Sequence, residues 1–125
     1  MIVVMLSILA YVASAWGQDG TTYPFQVENG MQTDITVQCG DGNNSTELNP
    51  GNESDFDCTV NTIRITHESL GSREFEYGED YDLTTECQNG DGSKRVFAIW
   101  VVDLSIYNTE TLQTTASIAF HYGCQ

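Results

Sequence analysis

The sequence predicts an all-β fold: a two-sheet antiparallel β-sandwich, or a small barrel, of about eight short strands stapled by two disulfides. Three observations predict it. Apolar and polar residues alternate in short runs, the period-2 signature of half-buried strands. Turn-forming Gly, Asn and Asp separate the runs. The four cysteines, Cys39, Cys58, Cys87 and Cys124, fall on the apolar parity of their runs, so each sulfur is expected to point inward.

The chain opens with "MIVVMLSILAYVASA", thirteen apolar residues in fifteen and no charged side chain. A bilayer crossing needs about 20 apolar residues, so this run is too short to span. It ends in Ala13-Ser14-Ala15, the small-x-small pattern of signal-peptidase cleavage. Residues 1–15 are therefore expected to be a secretory signal and residues 16–125 a single secreted β domain. No later apolar run is long enough to cross a membrane; the longest, Val96–Val102, stops at Asp103.

Within the mature part, Tyr23, Phe25 and Val27 share one face, and Asn29-Gly30 follows as a hairpin-turn dipeptide. Ile35, Val37 and Cys39 alternate next. Phe56, Cys58 and Val60 follow, then Ile63, Ile65 and His67, then Phe75 and Tyr77, then Tyr81, Leu83 and Cys87. In "RVFAIWVVDLSIY" both parities are apolar at first, which predicts a central strand covered on both faces through its first half. Asp103 and Ser105 then return one face to water. Ala116, Ile118, Phe120, Tyr122 and Cys124 form the last face.

Cysteines in even number and on a secretory route imply disulfides, each contributing roughly 2–4 kcal/mol. Zinc would need close pairs such as C-x-x-C, and no such pair occurs. Three pairings are open to four cysteines. Cys39–Cys58 with Cys87–Cys124 is the expected one, because each half of the chain then closes its own loop.

The net charge is −14, with four basic residues, Arg64, Arg73, Lys94 and Arg95. Four cations cannot track a phosphate backbone, which excludes nucleic acid, and an anionic membrane surface would repel the chain. A protein partner with a basic surface fits the charge. On strands, residues two apart share a face, so Asp55 with Asp57, and Glu74 with Glu76, form outward pairs that such a partner could engage.

Two short stretches nearly repeat: "DITVQCGDG", residues 34–42, and "DLTTECQNGDG", residues 82–92. As calcium loops both fail, since Thr46 and Lys94 stand where a sharply turning Gly is required and Asn52 and Trp100 where a bidentate Glu is required. As turns they have a mechanism, because Asp-Gly and Asn-Gly tolerate the positive φ that closes hairpins. Glu79, Asp80 and Asp82 remain as a looser oxygen cluster for calcium, and a calcium-supported carbohydrate-binding module is the alternative reading of the chain.

The polar stretch "GDGNNSTELNPGNES" holds three N-x-[ST] sequons, at Asn43, Asn44 and Asn52, which predicts an exposed glycosylated loop. His67 and His121 are the only histidines, the first on an inward parity and the second on a polar one, and no nucleophile-bearing motif appears. The sequence therefore points to binding through loops rather than to catalysis, and a secreted hydrolase ranks last.

Overall fold

The computed structural model describes residues 22–77 and 87–125. Its eight strands are β1 (Tyr23–Gly30), β2 (Ile35–Cys39), β3 (Thr46–Leu48), β4 (Glu53–Cys58), β5 (Thr62–His67), β6 (Gly71–Glu76), β7 (Phe97–Asn108) and β8 (Gln113–Cys124). They form two four-stranded sheets, in the orders β4-β1-β7-β8 and β3-β2-β5-β6. The expected two-sheet sandwich is present. One pairing within it, β1 with β7, is parallel. The expected signal segment and the run Tyr81–Leu83 lie outside the described residues.

The alternation builds the core directly. Phe25, Val27, Phe56, Phe97, Ile99 and Val101 project from the first sheet onto Ile35, Val37, Ile63, Ile65 and Phe75 of the second, and all are buried. Removing such a side chain from water stabilises by roughly 1.5–3 kcal/mol. Rings dominate one end. Phe97 lies 5.6 Å from Phe25 and 6.2 Å from Phe75, and Phe75 lies 5.0 Å from Tyr122. The Arg73 guanidinium caps the cluster, 4.3 Å from the Phe75 ring centre, a cation–π placement favourable at a partly wet rim.

Both disulfides pair as the sequence predicts, Cys39–Cys58 and Cys87–Cys124. The first joins the end of β2 to the end of β4 and so pins one sheet to the other. The second ties the segment entering β7 to the end of β8. Around it, the Arg95 guanidinium donates to the Cys124 carbonyl at 3.1 Å, and the Tyr77 hydroxyl donates between the carbonyls of Cys87, at 2.8 Å, and Arg95.

Asn29-Gly30 is not a hairpin turn. Both residues belong to β1, and the chain beyond them crosses to the second sheet. Asn29 is fully buried because it holds that crossing together. Its Nδ2 donates to the carbonyls of Thr33 and Leu48, each at 2.9 Å, and its Oδ1 accepts the Met31 N–H at 2.9 Å. Its backbone bonds Gly51 and Asn52 in the turn that returns β3 to β4. One side chain thus satisfies every polar group it buries and braces two crossings.

The stretch expected to be a single glycosylated loop contains β3, whose Leu48 is buried, and then an Asn49–Asn52 turn with Gly51 at φ 84°. Val60, expected inward, lies past the end of β4 and is exposed. Strand β4 stops at Cys58, so the alternation that placed Val60 inside no longer applies.

Candidate functional site

The near-repeated stretches close two turns of one geometry. At the first, the Gly42 N–H donates to the Cys39 carbonyl (3.0 Å) and the Cys39 N–H to the Asn43 carbonyl (3.1 Å). At the second, the Gly92 N–H donates to the Asn89 carbonyl (2.9 Å) and the Asn89 N–H to the Ser93 carbonyl (2.8 Å). Gly42 and Gly92 take φ of 88° and 89°, the left-handed residue of a three-residue hairpin loop. In each turn the Asp carboxylate accepts the N–H two residues on, Asn43 or Ser93. Hydrogen bonds hold both carboxyls below the usual range, chiefly from the Thr59 hydroxyl at Asp41 and the Ser93 hydroxyl at Asp91. Their oxygens serve the turn, and the hairpin mechanism explains the repeat.

Among the described residues no three His, Cys, Asp or Glu side chains converge as metal ligands would. Glu79, Asp80 and Asp82 lie outside those residues. The sequon asparagines Asn43, Asn44 and Asn52 are all exposed. Asn44, however, sits at φ 59° with its amide nitrogen turned toward the Asp57 carbonyl at 3.5 Å.

His67 is held on three sides. Its Nδ1 accepts the backbone N–H groups of Ser69 and Leu70, each at 3.1 Å, and its Nε2 lies 2.6 Å from the Thr33 hydroxyl. A nitrogen that accepts two N–H donors carries no proton, which places the proton of the neutral ring on Nε2, facing Thr33. In that tautomer His67 donates to the hydroxyl and cannot remove its proton. The ring braces the β5–β6 turn.

The acidic pairs are not gathered into one patch. Asp55 and Asp57 lie on the outer face of the first sheet, on β4, where Gln26 donates to Asp55 at 3.3 Å. Glu74 and Glu76 lie on the outer face of the second sheet, on β6. Glu74 pairs with Arg64 at 3.6 Å, and Glu76 accepts from Asn61.

The outer face of the first sheet holds the most distinctive assembly. Among the described residues nothing supplies the expected cover on the second face of β7: Phe97, Ile99 and Val101 enter the core, while Trp100, Leu104 and Ile106 lie exposed on the other side. Register builds rows across this face. Glu53 lies opposite Glu28, Glu28 beside Trp100, and Trp100 opposite His121. The next row runs Asp55, Gln26, Ala98, Gly123. The face is thus acidic on β4 and β1 and aromatic to aliphatic on β7.

Trp100 is 47% exposed, and its ring centre lies 5.6 Å from that of His121. Its indole edge rests on Gly30, where a Cβ would fall 2.4 Å from Nε1. Glycine at the end of β1 is therefore what lets the ring lie down on the sheet. Gln26, Glu28, Trp100, His121 and Gln125 border a shallow depression of about 330 Å³. Sequence reasoning missed this surface. A signal for it existed in β8, whose residues on the same face, Ser117, Ala119, His121 and Gly123, are too small or polar to mark a covered layer.

A small all-β domain with two disulfides is an architecture typical of extracellular proteins. No family model, curated protein or solved structure matches this chain. No helix among the described residues is long and apolar enough to cross a membrane.

Proposed function

We propose that the protein is a secreted, acidic binding module that engages a basic protein surface through the outer face of its first sheet. The observation that carries this reading is the juxtaposition on one face of carboxylates at Glu28, Glu53, Asp55 and Asp57 with an exposed Trp100. Aromatic anchors supply much of the energy of protein interfaces, and the acidic strip steers a basic partner into register. The exposed sequon asparagines are expected to flank rather than form the contact. The protein acts by binding rather than by turnover, which the locked tautomer of His67 supports.

Calorimetric titration with a synthetic extended peptide alternating Lys with Phe and Leu tests it. Binding is expected, weakening as salt rises and falling at least tenfold in Trp100→Ala and in Glu28→Gln/Asp55→Asn. Equal affinity for a charge-neutral peptide of the same apolar pattern, or no loss in either variant, overturns the reading.

A carbohydrate ligand is the second reading, favoured by an exposed indole beside the amide of Gln26 and the carboxylate of Glu28. Sugars stack on such rings while polar groups take their hydroxyls. Retention on a glycan array that Trp100→Ala abolishes would select it, and sensitivity to chelator would bring in Glu79, Asp80 and Asp82.

A further inference from the structure

Among the described residues the two sheets have four edges, and they are not alike. Edge β4 carries Glu53, Asp55 and Asp57; edge β3 is three residues long and holds Glu47; edge β6 carries Arg73, Glu74 and Glu76. Each is blunted by charge or brevity, the devices that stop sheets from pairing edge to edge. Edge β8 has neither. It runs twelve residues, "QTTASIAFHYGC", without Pro, Lys, Arg, Asp or Glu.

Its neighbourhood is as bare. Of the eighteen acidic residues, only Asp103 and Glu110 lie in residues 96–125. Of the six large hydrophobic residues left exposed among the described residues, Trp100, Leu104, Ile106, Tyr107 and Leu112 all belong to the β7–β8 hairpin. Beyond the Gly30–Val102 pair, β1 no longer accompanies β7, and the distal half of the hairpin pairs only with itself among the described residues. Along β8, Ile118, Phe120 and Tyr122 reach the core but remain only partly buried at its rim.

We propose that β8 pairs antiparallel with β8 of a second copy, about a twofold axis perpendicular to the sheet, giving one continuous eight-stranded sheet. A second copy fits for two reasons on charge. An uncharged edge offers nothing to the basic partner that the acidic strip of β4 and β1 suits. It is also the one edge at which two chains of net charge −14 can approach without opposing carboxylates.

Symmetry then fixes the register to within a small set. Opposed residues must share a face, so the axis passes beside a residue paired with its own copy. With Ala119 on the axis, Ile118 lies opposite Phe120 and Ser117 opposite His121, and Gln113 reaches Gln125. The distal half of each hairpin then lies along the root of its partner. Both Trp100–His121 rows emerge on the same side.

The proposal is independent of what the outer face binds, and salt separates the two. Raising salt screens the repulsion between the acidic bodies of two copies and strengthens this dimer, whereas it weakens a basic partner. Sedimentation velocity of the secreted protein between 1 and 100 µM, at low and high salt, is the test; these are concentrations on the order of ordinary homodimer affinities. A dimer that tightens with salt is expected. Ala119→Glu and Ala119→Lys should each weaken it at least tenfold, because either charge meets its own copy on the axis; a loss with only one sign overturns self-pairing and indicates a charged foreign strand. Should both variants fail to fold, amide exchange along β8 in the unsubstituted protein decides. Exchange that slows with protein concentration supports the pairing. A monomer at every concentration and salt, or exchange independent of concentration, overturns it.

Discussion

The two halves of the β7–β8 hairpin continue one pair of strands and meet opposite fates. In the proximal half, Phe97, Ile99 and Val101 are fully buried and β1 pairs alongside. In the distal half the core-side positions pass to Asp103, Ser105 and Tyr107, while Leu104 and Ile106 continue the outer face of Trp100. No third strand accompanies them among the described residues, and all five stand exposed. Alternation therefore does not by itself produce burial. What buries a residue is an apolar side chain on the core-facing parity together with a neighbour on each edge; past Val101 that parity passes to Asp103, and β1 stops at Gly30. The proximal half holds the domain together; the distal half carries apolar surface that the isolated fold does not use.

The comparison breaks most sharply at Phe97. Truncating a fully buried phenylalanine typically costs about 3–5 kcal/mol, and its loss would strip contacts from Phe25, Phe75 and Tyr122 together. Phe97→Ala is expected to lower the melting midpoint by at least roughly 12 °C, taking about 4 °C per kcal/mol for a domain near this size. Ile106→Ala, nine residues along the same strand, should change stability by less than about 0.5 kcal/mol at dilute concentration. Similar losses at the two positions would mean that the distal half is covered after all.

Gly30 marks the boundary between the halves. A Cβ there would fall 2.4 Å from Trp100 Nε1 and 2.8 Å from the Val101 carbonyl oxygen. The indole can swing away, but the carbonyl belongs to the sheet. Gly30→Ala is therefore expected to cost about 1–3 kcal/mol, the usual range for overpacking, and to shift Trp100 fluorescence to the red as the ring leaves the sheet. A destabilised variant with unchanged fluorescence would place the strain in the backbone alone.

At the root of the hairpin, Tyr77 sharpens the comparison through pH. Burial pushes its hydroxyl up from the ordinary value of 10.0, more than the Arg95 contacts pull it down. The fold thus favours the protonated form. Its contribution is fully present below pH 10 and is lost as pH rises through the higher folded value. Tyr77→Phe leaves the Cys87 and Arg95 carbonyls without that donor and should cost about 1–2 kcal/mol near neutrality. It should also flatten the alkaline limb of a stability–pH curve, and a limb of unchanged slope would assign that limb to another group.

How far the sequence reveals all this depends on which physical signal each feature leaves. The inward residues of β1, β2, β4, β5 and β8 were legible because alternation is a local property of a half-buried strand. The cysteine pairing was legible from loop closure, and the Gly-Asp-Gly turns from the φ that glycine allows. The assignment of strands to sheets was not. Asn29 looked like a turn residue because Asn-Gly closes hairpins; its actual task, bonding Thr33, Leu48 and Met31 across two crossings, depends on partners up to nineteen residues away. The outer face of β7 was misread for a related reason. Val96, Ala98, Trp100 and Val102 have the composition of a covered face, and the residues that show it to be bare, Ser117, Ala119 and Gly123, lie on the neighbouring strand. Pairing information is non-local, and single-strand periodicity does not contain it.

The smallest expected effect lies at the tip and bears most directly on what the distal half is for. Leu112 adopts φ 58° and is 73% exposed, so a branched apolar residue occupies a left-handed position that costs roughly 1–2 kcal/mol relative to glycine. Asn108 builds the turn around it, accepting the N–H groups of Glu110 and Thr111 and lending its carbonyl to the Leu112 N–H. If stability alone governed the tip, Leu112→Gly would relieve that conformation. The larger entropy of glycine in the unfolded chain offsets part of the gain, leaving a net stabilisation of about 0.5–1 kcal/mol, a rise of a few degrees in a dilute thermal melt. In the paired arrangement the same leucine reaches toward the end of the partner's β8. Its loss should then weaken self-association at high concentration while it stabilises the monomer. The two effects have opposite signs and are read in the same protein at two concentrations. A variant stabilised at both would show that the tip leucine serves neither the fold nor the contact between copies.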